Sequence, residues 1–219
     1  MKRKNPIREV HTARGVLSGK GPWTSWNAIY RGVRPEDLPW NAGGPDAELV
    51  RLVESGKIAP SRALDLGAGP GHDAIYLAKR GFRVLALDIS PAALKLARAN
   101  ARKAGAAERI RFQVKDAAKL DVPPGSVAFA NDRGCFHVLD ASGRRAYLQG
   151  LARALAPEGI LLLRVFSDKE PPGPGPRRFS KNELVGFFRS KFRVLKIKSG
   201  VFKGPRRPKA YVCLLRRLA

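Results

Sequence analysis

Three carboxylates and a run of glycines carry the chemistry most legible in this chain. Asp65 stands two residues before Gly67-Ala68-Gly69-Pro70-Gly71, and Asp88 and Asp116 close the next two apolar stretches. Glycines at 67, 69 and 71 remove the side chains that would keep a ligand from the backbone, and a helix beginning after them offers free N–H groups. The spacing is G-x-G-x-G, whereas a pyrophosphate-binding turn favours G-x-G-x-x-G. An acid just before the loop repels pyrophosphate and suits a ligand with an ammonium group and a sulfonium charge. Asp88 can accept from two ribose hydroxyls, and Asp116 from an adenine amino group.

Four further residues have chemistry to offer. His137 is placed for proton transfer with a reference pKa near 6.5, or is a buried structural histidine on the way into a helix. Arg133 can attract an anionic thiolate or carboxylate, or belong to an ordinary ion pair. Cys135 and Cys213 lie far apart and form no short-spaced metal motif, so no metal site is expected. So sparse a cysteine content fits a reduced, cytoplasmic setting.

Placing three acids on one edge demands alternating strands and helices. Apolar runs at 63–66, 83–87, 110–114, 127–131 and 160–166 read as buried strands. Helices are predicted from Pro45 to Gly56, over 72–80, over 92–103 behind a Ser90-Pro91 start, over 144–155, and over 180–189 with Glu183 in a capping box. Segments 192–197 and 210–215 read as a closing antiparallel pair. The expected fold is α/β, a Rossmann-like, seven-stranded, mostly parallel sheet with helices on both faces.

The 219 residues suit one domain, residues 41–219, behind a basic arm over 1–40. Trp23, Trp26 and Tyr30 share a face if their segment is helical; they form an apolar lid, pack on the sheet edge, or stack on bases. No stretch approaches the length of a membrane span, and no apolar run follows the positive N-terminus as in a signal peptide. The net charge is +24, with 16 basic and 3 acidic residues in 164–219 alone, among them Lys196, Lys198, Lys203, Arg206, Arg207, Lys209, Arg216 and Arg217. That excess is either a solvated face or a weak nucleic-acid footprint in the C-terminal region.

The segments ALDLGAGPGHDAIYLA, LALDIS and VKDAAKL closely resemble the class I S-adenosylmethionine-dependent methyltransferases. LPWNAGGPDAELVRLVESG, NDRGCFHVL and the stretch after strand five resemble, more narrowly, the thiopurine and thiol methyltransferase-like group. The resemblance implies S-adenosylmethionine as cofactor and a sheet order of 3-2-1-4-5-7-6. It implies transfer to a small nucleophile of thiol, chalcogen or halide type by in-line displacement. Asp65, Gly67, Ala68, Gly69 and Gly71 would hold the methionine part, Asp88 the ribose with Ile89 beside it, and Asp116 with Ala117 the adenine. Asp132 would lie near the transferring methyl, with Arg133 and His137 following it, and Trp40 would close over the cofactor.

Two features depart from that pattern: Asn131, where an apolar or acidic residue is expected, and the long basic arm. Cys135 lacks the Pro-Cys or Thr-Cys context of cytosine-C5 enzymes, and Asn131-Asp132-Arg133-Gly134 lacks the prolines of amino-methylating ones. The alternative function is an RNA-modifying methyltransferase that uses its basic C-terminal region for phosphate contacts. The enzyme is otherwise expected to act on a small acceptor as a monomer.

Overall fold

A computed structural model of the protein describes residues 22–173, 175–203 and 207–219, with side chains from Trp26 onward. Most of the basic arm, the Trp23 side chain and Arg206 lie outside the described residues.

Strands β1 (Arg62–Leu66), β2 (Arg83–Asp88), β3 (Ile110–Val114) and β4 (Val127–Arg133) run parallel. β5 (Leu155–Ser167) continues the parallel set, while β8 (Lys209–Arg217) and β7 (Phe192–Val201) add an antiparallel pair. The order is β3-β2-β1-β4-β5-β8-β7, and a two-residue β6 (Arg178–Phe179) pairs with β5 off this path. Without β6 this is the expected 3-2-1-4-5-7-6.

The helices are α1 (Pro22–Gly32), α2 (Ala47–Glu54), α3 (His72–Lys79), α4 (Pro91–Lys103), α5 (Ala141–Ala154) and α6 (Lys181–Phe188). Local chemistry sets their starts. Asp46 accepts from Glu48 and Leu49 N–H at α2, Ser90 caps α4 ahead of Pro91, and Ser180 with Glu183 forms the capping box of α6. α5 begins earlier than expected because Asp140 accepts from the Gly143 N–H. β5 likewise begins at Leu155, which pairs with Val127 before a register shift.

Strand alternation divides the core into two layers. Ala63, Val84, Ala86, Phe129 and Leu162 face Leu49 and Leu52 of α2, Ala74 and Leu77 of α3, and Ala101 of α4. Leu64, Leu66, Leu161 and Leu163 face Tyr147 and Leu151 of α5 and Leu184 and Phe188 of α6. The β3–β4 connection on that second face holds only a short turn, Ala117–Lys119, and Leu85 of β2 stays half-buried there. Among the described residues no helix is long and apolar enough to cross a membrane.

Candidate active site

The parallel strands end on one edge, and the glycine loop crosses it. Ala68 N–H donates to the carbonyl of Leu87, and Gly69 N–H donates to Asp88 Oδ2 at 2.8 Å, so the loop lies across the end of β2. Asp88 Oδ1 accepts from Ser90 N–H at 2.8 Å, and burial raises this carboxyl above its ordinary pKa. Gly71 adopts φ +82°, and a Cβ there would come within 2.9 Å of Ala97 in α4. A Cβ on Gly67, at φ +69°, would stand 2.9 Å from the Cys135 Cβ. Only glycine permits both approaches at once.

Asp65 is buried at the end of β1. Its Oδ1 accepts from Asn131 Nδ2 at 2.8 Å, while its Oδ2 has no hydrogen-bond partner. Burial, with Asp73 adding repulsion, pushes its pKa up to about 8. The Asn131 amide also reaches Asp73 Oδ2 at 3.1 Å, and its carbonyl accepts from Arg164 Nη2 at 3.3 Å. An acid at position 131 would have added another carboxylate to this cluster, which explains the departure seen in the sequence.

Arg164, 2% exposed, projects from β5 into the same cluster. It pairs with Asp46 and lies 3.6 Å from Asp73 Oδ2, and burial lowers its pKa to about 9. Asp46 also meets Arg133 Nε at 3.3 Å, and its N–H donates to Asp73 Oδ1 at 2.7 Å. Asp46, Asp73 and Arg164 were missed as site residues. The signal available was a lone charge inside the apolar run LLLRVF, since a charged residue there is buried only if paired.

The turn after β4 is held by Asp132, which is fully buried. Its oxygens accept from Cys135 N–H at 2.8 Å, Phe136 N–H at 3.0 Å and the Tyr147 hydroxyl at 2.9 Å, and burial raises its pKa to about 6. These bonds occupy Asp132 in shaping the turn. Arg133 donates from Nη1 to the Trp40 carbonyl at 2.9 Å, and its guanidinium lies 5.9 Å from the Phe202 ring centroid.

Of the two readings open for His137, proton transfer or a structural role, its surroundings favour the second. Its Nδ1 accepts from Phe166 N–H at 3.1 Å, the rings of Phe166 and Phe202 pack against it, and burial pulls its pKa down to about 3. Burial thus favours the neutral imidazole.

Over the edge lie aromatics from the arm. Trp40 Nε1 donates to the Tyr30 hydroxyl at 2.9 Å, and Trp26 stands edge-on to Trp40 with centroids 5.4 Å apart. The Tyr30 oxygen would touch a Cβ on Gly69 at 2.8 Å. Asn27 fastens α1 by accepting from Ala92 N–H at 2.9 Å. On the far side of the loop, Asp116 accepts from Ala118 N–H at 2.9 Å beside the buried Ala117, and Lys115 N–H donates to the Asp88 carbonyl. Ile89 follows Asp88 and is half-buried. Among the described residues no group of three or more His, Cys, Asp or Glu is placed to hold a metal ion.

Comparisons with known proteins agree with this architecture. Residues 63–159 match a family described as a methyltransferase domain. A 2-heptyl-1-hydroxyquinolin-4(1H)-one methyltransferase of Mycobacteroides abscessus is 35% identical over 165 residues, 73% of this chain and 72% of that protein. A probable thiol methyltransferase of Arabidopsis thaliana is 28% identical over 145 residues, covering 66% of this chain and 64% of its own length. A solved structure concerned with the conversion of a disulfide bond into a thioacetal group during echinomycin biosynthesis superposes with a TM-score of 0.77. It is 27% identical, covering 89% of this chain and 92% of that one.

Proposed function

Because the chain belongs to the class I S-adenosylmethionine-dependent methyltransferases, we propose that it methylates a small nucleophile that is already anionic when it reaches the site, a thiolate or comparably acidic group. The bound cofactor supplies a methyl group activated by a sulfonium, so the protein's task is to align the acceptor and exclude water.

The residues present fit that cofactor. Asp46 and Asp73 are offset by Arg133 and Arg164, and Asp88 and Asp132 are held by neutral donors, which leaves Asp65 as the buried acid with an unpartnered oxygen, Oδ2. An ammonium group there would complete the cluster. Gly67, Ala68, Gly69 and Gly71 let the methionine part approach the backbone. Asp88 and Ile89 would hold the ribose and Asp116 with Ala117 the adenine, while Trp40, with Trp26 and Tyr30, covers the edge as a lid. The division into an arm over 1–40 and a domain over 41–219 belongs to the same reading.

The observation that carries the acceptor class is the state of His137. A ring held at Nδ1 by a backbone donor, with a pKa near 3, takes no proton at neutral pH. Asp132 is committed to three donors. An acceptor that has lost its proton beforehand needs neither, and Arg133 beside Phe202 gives its negative charge a cation. The sulfur chemistry in the descriptions of two relatives supports a thiolate; the hydroxyquinolone of the third supports an acidic hydroxyl.

Methyl transfer from labelled S-adenosylmethionine to acceptors of graded acidity tests this. Rates are expected to follow the anionic fraction of each acceptor and to be negligible for aliphatic alcohols. Efficient methylation of an aliphatic alcohol would overturn it.

A further inference from the structure

The edge opposite the candidate active site carries a groove of about 820 Å³ that the methyl-transfer reading does not use. Arg62 and Arg83 are register partners at the starts of β1 and β2, and Arg111 of β3 pairs with Leu85, two residues along. Side chains two apart in a strand share a face, so all three arginines project to the same side. This is the face on which the β3–β4 connection supplies no helix. Arg109 adds a fourth guanidinium, and Leu85, Val122 and Val127 make an aliphatic floor. All four arginines are exposed. Among the described residues none has a carboxylate within 4 Å, although Glu108 lies on the rim.

We infer that this groove binds the phosphodiester backbone of single-stranded nucleic acid. Its guanidiniums sit on three adjacent strands roughly 5 Å apart, and each presents a planar fork that fits phosphate oxygens. The floor has no aromatic ring on which bases could stack, so recognition is of charge and is indifferent to sequence. The residues proposed to hold the cofactor lie at the other end of the strands, about 13 Å along β1 at 3.3 Å per residue. The phosphate contacts therefore lie apart from the site of methyl transfer. The C-terminal basic residues are less available. Lys198 pairs with Glu48 at 2.6 Å, and Arg216 pairs with Glu158 at 3.1 Å.

The test is fluorescence anisotropy with a labelled, mixed-sequence single-stranded RNA and the matching DNA, across a range of salt concentrations. The wild-type protein is compared with Arg62→Gln/Arg83→Gln/Arg111→Gln and with a tail variant, Lys203→Gln/Arg207→Gln/Lys209→Gln. The groove variant is expected to lose at least about tenfold in affinity at low salt and to flatten the log–log salt slope by about 2, from roughly 0.7 per phosphate contact. The tail variant should change by less than about twofold, and RNA and DNA should bind alike. Unchanged cofactor affinity in both variants reports an intact fold. Arg111→Gln alone, expected to flatten the slope by about 0.7, serves if the triple variant does not fold. Four results would overturn the inference: no salt-dependent binding by the wild type, undiminished binding by the groove variant, loss in the tail variant instead, or equally tight binding of polyglutamate.

Discussion

Asp65 and Asn131 are register partners on β1 and β4, and the Asn131 amide donates to Asp65 Oδ1 at 2.8 Å. One carboxylate oxygen is thereby fixed in direction while the other is buried with no hydrogen-bond partner. Asp46 and Asp73 have arginines nearby; Asp65 is the acid proposed to meet a ligand's cation.

Asp65→Asn should separate function from stability. Loss of a charge-assisted partner is expected to weaken S-adenosylmethionine binding by roughly 1.5–3 kcal/mol, about ten- to a hundredfold. Relief of the desolvated acid should raise the melting temperature by roughly 2–4 °C for each kcal/mol recovered. Calorimetric titration and a thermal melt check the two halves. Unchanged affinity would mean the ammonium is held elsewhere.

Cofactor binding should be linked to protons. With a pKa near 8, Asp65 is protonated in the free protein at pH 6.5, whereas an α-ammonium with a pKa of about 7.7–8.0 already carries its charge. Pairing them requires Asp65 to release about one proton, so affinity should climb as pH rises from 6 towards 8. Above that range the ligand loses its own charge and affinity should fall again. Titrations in buffers of different ionisation enthalpy count the proton, and a count of zero at pH 6.5 contradicts the assignment.

Arg164→Met keeps volume but strands Asp46 and Asp73 without their buried cation. Breaking such a pair costs about 3–5 kcal/mol, which urea denaturation would read directly. A loss below about 1 kcal/mol would show that the cluster does not depend on that charge.

His137→Gln retains an acceptor for Phe166 N–H and removes the imidazole. The pH profile of kcat/KM above pH 6 should keep its shape, with stability lowered by no more than about 1.5 kcal/mol. A limb that disappears from the profile would restore the histidine to proton transfer.

The loop was legible because glycine spacing and a following helix are local signals, and Asp88 because a strand ends there. That the sheet is mostly parallel followed from alternation, and the order of its strands from the family resemblance. The two roles open for His137 could not be separated in the sequence because proximity along the chain to Asp132 says nothing of burial, and burial sets its basicity. Arg164 announced itself as a charge in an apolar strand, but its partners come from α3 and the cap of α2, distant elements that meet only when the sheet assembles. The arginine groove was equally hidden. Its residues begin three different strands, and the missing helix that exposes them is a property of the β3–β4 connection.

An enzyme that stores an electrophilic methyl group must avoid becoming its own substrate. Cys135, packed beside Gly67, puts a sulfur against the glycine loop. Burial drives its pKa well above the ordinary value, and the fields of Asp132, Asp88, Asp116 and Asp65 drive it further. It stays a thiol, and a thiol is a poor nucleophile. The carboxylates proposed to receive a cation at this edge thus also hold the sulfur beside it in its less reactive, protonated form.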